Sequence, residues 1–164
     1  MITFREFLES RRKYIAAIYS QETQDNLRTW AQENGFNLNV SYSGKEQSPE
    51  DFKFHTTIFY SEGIHNIPNG IATLDKPFKV KPYEFALLGE NLDVPVLKVN
   101  GHGLFKHREY YEEEFGMRDR WKSYLPHVSL SYDRTADYSN IKLKMPKFDL
   151  IVSSITIEDI DESV

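Results

Sequence analysis

The chain has 164 residues, 40% hydrophobic and 14% aromatic, a composition that suits one globular domain and excludes a disordered segment. It contains no cysteine, which excludes a disulfide framework and a thiolate metal site, and no apolar run approaches the eighteen or so residues of a membrane span. Its net charge of −5 lacks the basic excess of proteins that grip long nucleic acid, so a phosphate-bearing ligand is expected to be small and held in a local pocket.

Met1-Ile2-Thr3-Phe4-Arg5-Glu6 lacks the charged-then-apolar pattern of a signal peptide, and a cytoplasmic location is expected. Thr3 to Glu6 is instead a capping box, predicting a short helix that buries Phe4, Phe7 and Leu8. Lys13 to Ser20 is apolar on both faces and predicts a central strand. Gln21 to Asn34 predicts a helix with Leu27, Trp30 and Ala31 inward and Gly35 as its stop. A polar loop over 44–50 leads into a strand from about Phe52 to Tyr60, and turn chemistry follows at Pro68 and Asn69-Gly70. Phe78 to Leu88 and Val94 to Val99 predict two strands around Gly89-Glu90-Asn91. From Gly103 to Phe115 the pattern is helical, with Leu104, Tyr111 and Phe115 on one stripe and Gly116 as the stop. A second strand containing histidine surrounds His127, and a last strand runs roughly from Phe148 to Glu158. Strand, helix and His-strand therefore occur twice, as one half repeated with variation.

The two His-strands match residue by residue. Phe54-His55-Thr56-Thr57-Ile58 and Pro126-His127-Val128-Ser129-Leu130 each carry His, any residue, a hydroxyl residue and an apolar one. Side chains alternate faces in a strand, so His55 and Thr57 point one way, as do His127 and Ser129. A half-buried structural histidine accounts for either segment alone. The pair arises in roughly one shuffled sequence in fifty, so it is the pair that carries the functional reading.

Twin His-x-[Ser/Thr]-apolar strands about half a chain apart resemble the 2H phosphoesterase superfamily, over about residues 13–158. Tyr124-Leu125-Pro126-His127-Val128-Ser129-Leu130 is the closer motif, although Ser129 stands where Thr is common. The resemblance implies an α+β, bilobal fold. Two pseudo-symmetric antiparallel sheets with outer helices would enclose a central cleft, and residues 1–164 would form a single catalytic domain of two lobes. The short acidic chain and Phe52-Lys53-Phe54-His55-Thr56-Thr57 are also similar to a phage-encoded branch. Members of that branch open cyclic oligonucleotide messengers and so defeat the bacterial defence called CBASS.

Two histidines near one phosphate suit general acid–base work, because the unperturbed imidazole pKa lies close to working pH. Either ring suits either role. Thr57 and Ser129 are the expected donors to the non-bridging oxygens, where charge builds in the pentavalent state. The substrate's own 2′ hydroxyl is the expected nucleophile, with water as the second candidate. Tyr14 and Trp121 are candidates for base stacking, against core packing as the simpler account. Glu158 is a candidate partner for a base edge and Lys13 for phosphate charge, each against a solvated surface charge. No metal or other cofactor is expected: His102 and His107 are five apart with no carboxylate suited to both. His107 reads as packing and His65 as a solvated turn residue. The expected partner is a small cyclic oligonucleotide, not long nucleic acid or membrane. An RNA-end enzyme acting on 2′,3′-cyclic phosphates or 2′-5′ linkages is the first rival. A non-catalytic nucleotide sponge is the second, though pure binding would not need two proton carriers.

Overall fold

The computed structural model describes residues 11–120 and 123–160. The short helix expected over Phe4 to Leu8, and Trp121, lie outside the described residues. Strand β1 (Arg11–Tyr19) buries Ile15, Ala16, Ala17 and Tyr19. It takes this two-sided burial from neighbours on both edges, β2 (His55–His65) and β6 (Leu150–Asp159). Helix α1 (Gln21–Glu33) starts where the Ser20 side chain accepts the Thr23 backbone N–H at 3.2 Å. Leu27 and Ala31, one turn apart, face the core, and Gly35 takes a left-handed φ of 84° beyond the helix end.

Strand β3 (Gly70–Leu88) is the longest element, and its two halves have different partners. Residues from Gly70 to Val80 pair with β6, whereas Lys81 to Leu88 pair with β4 (Val94–Asn100). The register with β6 shifts between Thr73 and Phe78, which places Pro77 where the ladder needs no N–H from it. Helix α2 (His102–Phe115) ends at Gly116, whose φ of 62° lets its N–H reach Glu112 O at 3.0 Å. Gly103 has no side chain to obstruct the Phe78 ring, which stacks on His107 with centroids 5.3 Å apart. Strand β5 (His127–Ser129) is only three residues long and pairs with β4.

Where two sheets were expected, the strands form one six-stranded antiparallel sheet in the order β2-β1-β6-β3-β4-β5, with two helices. The expected strand at Phe78 extends back to Gly70 because Ile71, Ala72 and Thr73 find partners in Thr156, Ile155 and Ser154. Sheets twist and curl, and this one curls far enough that its outer strands, β2 and β5, pack against each other. Those are the two strands that begin with His55 and His127. No helix among the described residues is long and apolar enough to cross a membrane.

Candidate active site

The chain segment entering β2 is anchored by α1. The Gln24 side chain, 3% exposed, donates to Phe54 O and accepts from Phe54 N, both at 2.7 Å. It thereby holds the residue before His55 as a neighbouring strand would. Arg28 adds hydrogen bonds to Pro49 O at 2.9 Å and Phe52 O at 3.1 Å. Along β2, His55 lies opposite Ile18 and Thr57 opposite Ala16, so both share the sheet face that carries Tyr14. The Tyr14 hydroxyl meets Thr57 Oγ1 at 2.8 Å, and its ring stands edge-on to His55 at 6.1 Å.

At the other edge, β5 places His127 opposite Lys98 and Ser129 opposite Val96. Lys98 Nζ is held by Glu84 Oε1 at 2.7 Å. Beyond the strand, Tyr132 stacks on buried Phe52 at 5.3 Å, and Tyr42 stands edge-on to Tyr132 at 5.5 Å. Burial raises the Tyr132 phenol's pKa, and its interaction with the Ser129 side chain partly offsets the rise.

Both imidazoles are fixed in one manner. His55 Nδ1 lies 3.1 Å from Lys53 O, and His127 Nδ1 lies 2.7 Å from Leu125 O, in each case the carbonyl two residues earlier. A carbonyl accepts only, so each Nδ1 carries the proton and Nε2 is the nitrogen left for a ligand. Burial lowers the pKa of both rings. At His55 the Lys53 carbonyl opposes the fall, His127 lowers the pKa further and Glu158 raises it. Among the described residues, the Leu125 carbonyl is what opposes the fall at His127. Two half-buried imidazoles that resist being charged together suit a division into one neutral and one protonated ring.

The two edges are joined by residues that the sequence pattern does not single out. The Tyr124 hydroxyl donates to Thr57 O at 2.7 Å, crossing from the segment before β5 to β2. Arg108 of α2 lies over the rings of Tyr124 and Phe59, 4.0 and 4.2 Å from their centroids. Its guanidinium donates to Ile58 O at 2.6 Å and pairs with Asp119 at 2.8 Å. An arginine in a mid-helix charge run reads as solvated; only the fold shows that it faces inward. Gln24 is missed for the same reason, being a polar residue on a helix whose apolar stripe lies elsewhere.

The expected site residues sort as follows. His55, Thr57, His127 and Ser129 stand on the two strands that meet, and Tyr14 joins them through Thr57. Glu158 is exposed at the end of β6, opposite Tyr14 in register, and its charge acts on both His55 and Tyr14. Lys13 is neither a solvated surface charge nor open to a phosphate. It is 2% exposed, and its ammonium is taken by Asp159 Oδ1 at 2.6 Å and Asn69 Oδ1 at 2.9 Å. Its neighbour on the opposite face, Tyr14, is the residue that reaches the site. His107 packs as expected, on Phe78 and with Nδ1 at 2.8 Å from Gly103 O. His65 is not a solvated turn residue: it closes β2 opposite Arg11, and burial lowers its pKa. Among the described residues no group of three or more His, Asp or Glu is arranged to hold a metal ion.

Fold and site together define an α+β protein that presents two histidine–hydroxyl pairs from the meeting edges of one antiparallel sheet. The chain belongs to the family described as Anti-CBASS protein Acb1, whose profile matches residues 11–164, and this is a family that counters CBASS defence. No individual curated protein matches the chain significantly.

Proposed function

We propose that the chain is a metal-independent phosphodiesterase that cleaves 3′-5′ bonds of cyclic di- or trinucleotide messengers, and that it counters CBASS defence in this way. The observation that carries the proposal is the matched pair of histidines, each tied through Nδ1 to the carbonyl two residues back and each offering Nε2. Resemblance to the 2H phosphoesterases is supported by the division of β3. Its first half pairs toward the His55 edge and its second toward the His127 edge, as two lobes on one catalytic domain require.

In the mechanism we assign, a neutral His127 takes the proton of the ribose 2′ hydroxyl through Nε2. The 2′ oxygen attacks phosphorus, and the bond to the 5′ oxygen breaks. A protonated His55 gives its Nε2 proton to that oxygen, leaving a 2′,3′-cyclic phosphate and a free 5′ hydroxyl. Burial, the largest influence, lowers the pKa of both rings, and at His55 the Glu158 charge is a smaller influence that favours the protonated form. Thr57 and Ser129 donate to the non-bridging oxygens as charge develops there. Burial holds the Tyr14 phenol well above its ordinary pKa, so it stays protonated. By donating to Thr57 Oγ1, it leaves the threonine's own proton for the phosphate.

The test is incubation with cyclic di- and trinucleotides in EDTA, with products read by mass spectrometry. Linear products ending in a 2′,3′-cyclic phosphate are expected, and a substrate with 2′-deoxyribose at the scissile linkage should bind but resist cleavage. Turnover that needs added divalent metal would overturn the metal-free mechanism. Tight binding without turnover would make the protein a nucleotide trap, and cleavage confined to linear RNA ends would make it an RNA-end enzyme.

A further inference from the structure

Tyr42 is 75% exposed, yet the loop that carries it is closely tied. Ser41 N donates to Lys45 O at 2.8 Å, Gly44 N to Ser41 O at 2.9 Å, and Gln47 N to Asn39 O at 2.8 Å. The turn is possible because Gly44 takes a φ of +85°, where a side chain would be strained. From the loop's base, the Gln47 side chain donates to Leu38 O and Val40 O, both at 3.3 Å. An ordered loop that ends in an exposed aromatic ring adds little to the core, since most of that ring's apolar area stays in water.

The ring's position gives the loop a use. Tyr42 stands edge-on to Tyr132, which in turn stacks on buried Phe52. The Tyr42 phenol also raises the pKa of the Tyr14 and Tyr132 phenols, so it lies within electrostatic reach of the groups beside Thr57 and Ser129. Aromatic rings with an open face at a phosphate site stack bases, and they do so with little dependence on which base it is.

We propose that Tyr42, braced by Tyr132, is the stacking platform for one nucleobase of the cyclic nucleotide, a proposal that rests on the phosphodiesterase reading of the same site. Tyr132 holds the ring at the site's rim, and the tied loop keeps it there before ligand arrives, which lowers the ordering cost of binding. The contact is made equally in the ground and transition states, so it acts on binding and not on the chemical step.

The test compares wild type, Tyr42→Ala and Tyr42→Trp. It uses a 3′-5′ linked cyclic dinucleotide of adenine for turnover and the 2′-deoxy form of that dinucleotide for calorimetric affinity. Tyr42→Ala should raise both KM and Kd roughly fivefold to hundredfold while kcat stays within about twofold. Tyr42→Trp should restore binding, because the interaction needs a π face and not the hydroxyl. Unchanged KM and Kd in Tyr42→Ala, or a fall in kcat alone, would overturn the platform while leaving the phosphodiesterase intact. If wild type binds the deoxy analogue but cleaves nothing, catalysis is lost from the reading, and the effect of Tyr42→Ala on Kd still decides the platform. If wild type neither binds nor cleaves this dinucleotide, the comparison is repeated with the 3′-5′ linked cyclic trinucleotide of adenine, and failure on both overturns the platform and the phosphodiesterase together.

Discussion

The strands that carry His55 and His127 share one sequence pattern and are supported in opposite ways. β2 runs eleven residues, pairs along β1, and is anchored at its start by Gln24 and Arg28. β5 runs three residues and, among the described residues, draws its ladder from β4 alone. Even the shared tyrosine five residues after each histidine differs. Tyr60 has the guanidinium groups of Arg12 and Arg120 near its ring, each 5.9 Å from the centroid, whereas Tyr132 stacks on Phe52 and meets Tyr42 edge-on. What the two regions have in common is local: an Nδ1 tie to the carbonyl two residues back. The chemistry of the pair is thus written into a few adjacent residues, while the support that brings the pair together comes from distant parts of the chain.

The comparison breaks most sharply at the histidines. His55→Ala and His127→Ala should each lower kcat by about 10²–10⁴ with folding intact, because a general acid or base contributes on that scale. The double variant should be little worse than either single one, since the two act as a unit. Near-wild-type kcat in either variant, with circular dichroism unchanged, would show that one edge is scaffold and the symmetry of pattern is not symmetry of function. The hydroxyls come next. Thr57→Val and Ser129→Ala should cost up to about 10²–10³ in kcat with smaller changes in KM, as expected for donors to charge that forms only in the transition state. A larger loss at Thr57 than at Ser129 would sharpen the contrast, since Thr57 sits on the anchored strand and is oriented by Tyr14.

The link between the regions is tested through Arg108. Arg108→Leu removes the partner of Asp119, whose side chain is only 7% exposed. The loss should approach about 3 kcal/mol in urea unfolding, the lower end for a broken buried pair, because Arg108 itself keeps some solvent contact. Tyr124→Phe keeps the ring under Arg108 and deletes only the bond to Thr57 O, so about 1 kcal/mol is expected. If Tyr124→Phe also lowers kcat, that hydroxyl sets the spacing of the two strands as well as their stability.

These contrasts explain which features were legible in the sequence. The helices were legible because their signals are local: Gly35 and Gly116 at the stops, and apolar residues one turn apart. The His-strands were legible because a period of two is local as well. The union of the expected sheets into one was not, because it depends on β3 changing partners at Lys81, and the Ile71 to Thr73 stretch becomes a strand only where β6 reaches it. The place of Lys13 was not legible either, since its partner Asp159 lies at the far end of the chain and nothing near Lys13 signals a buried ammonium. Arg108 and Gln24 were hidden because a polar residue on a helix gives no sign of facing inward until the packing is known.

The smallest expected effect separates the titrations of the two histidines. Glu158 stands opposite Tyr14 at the end of β6, and its negative charge favours the protonated form of His55. Burial and the neighbouring His127 push the other way, and burial dominates, so the His55 pKa lies below the ordinary value. Glu158→Gln removes the one favourable charge among these influences, and the His55 pKa should fall further. His127 has no such dependence on Glu158 among the described residues, so one limb of a bell-shaped pH–rate profile should move and the other should stay. In Glu158→Gln the limb that reports His55 should therefore shift to lower pH, the alkaline limb if the His55 pKa is the higher of the two and the acid limb if it is the lower. A profile in which neither limb moves would place Glu158 outside the proton chemistry altogether. The profile should be measured as kcat/KM, which reports the free enzyme and so the pKa of His55 before any phosphate is bound beside it.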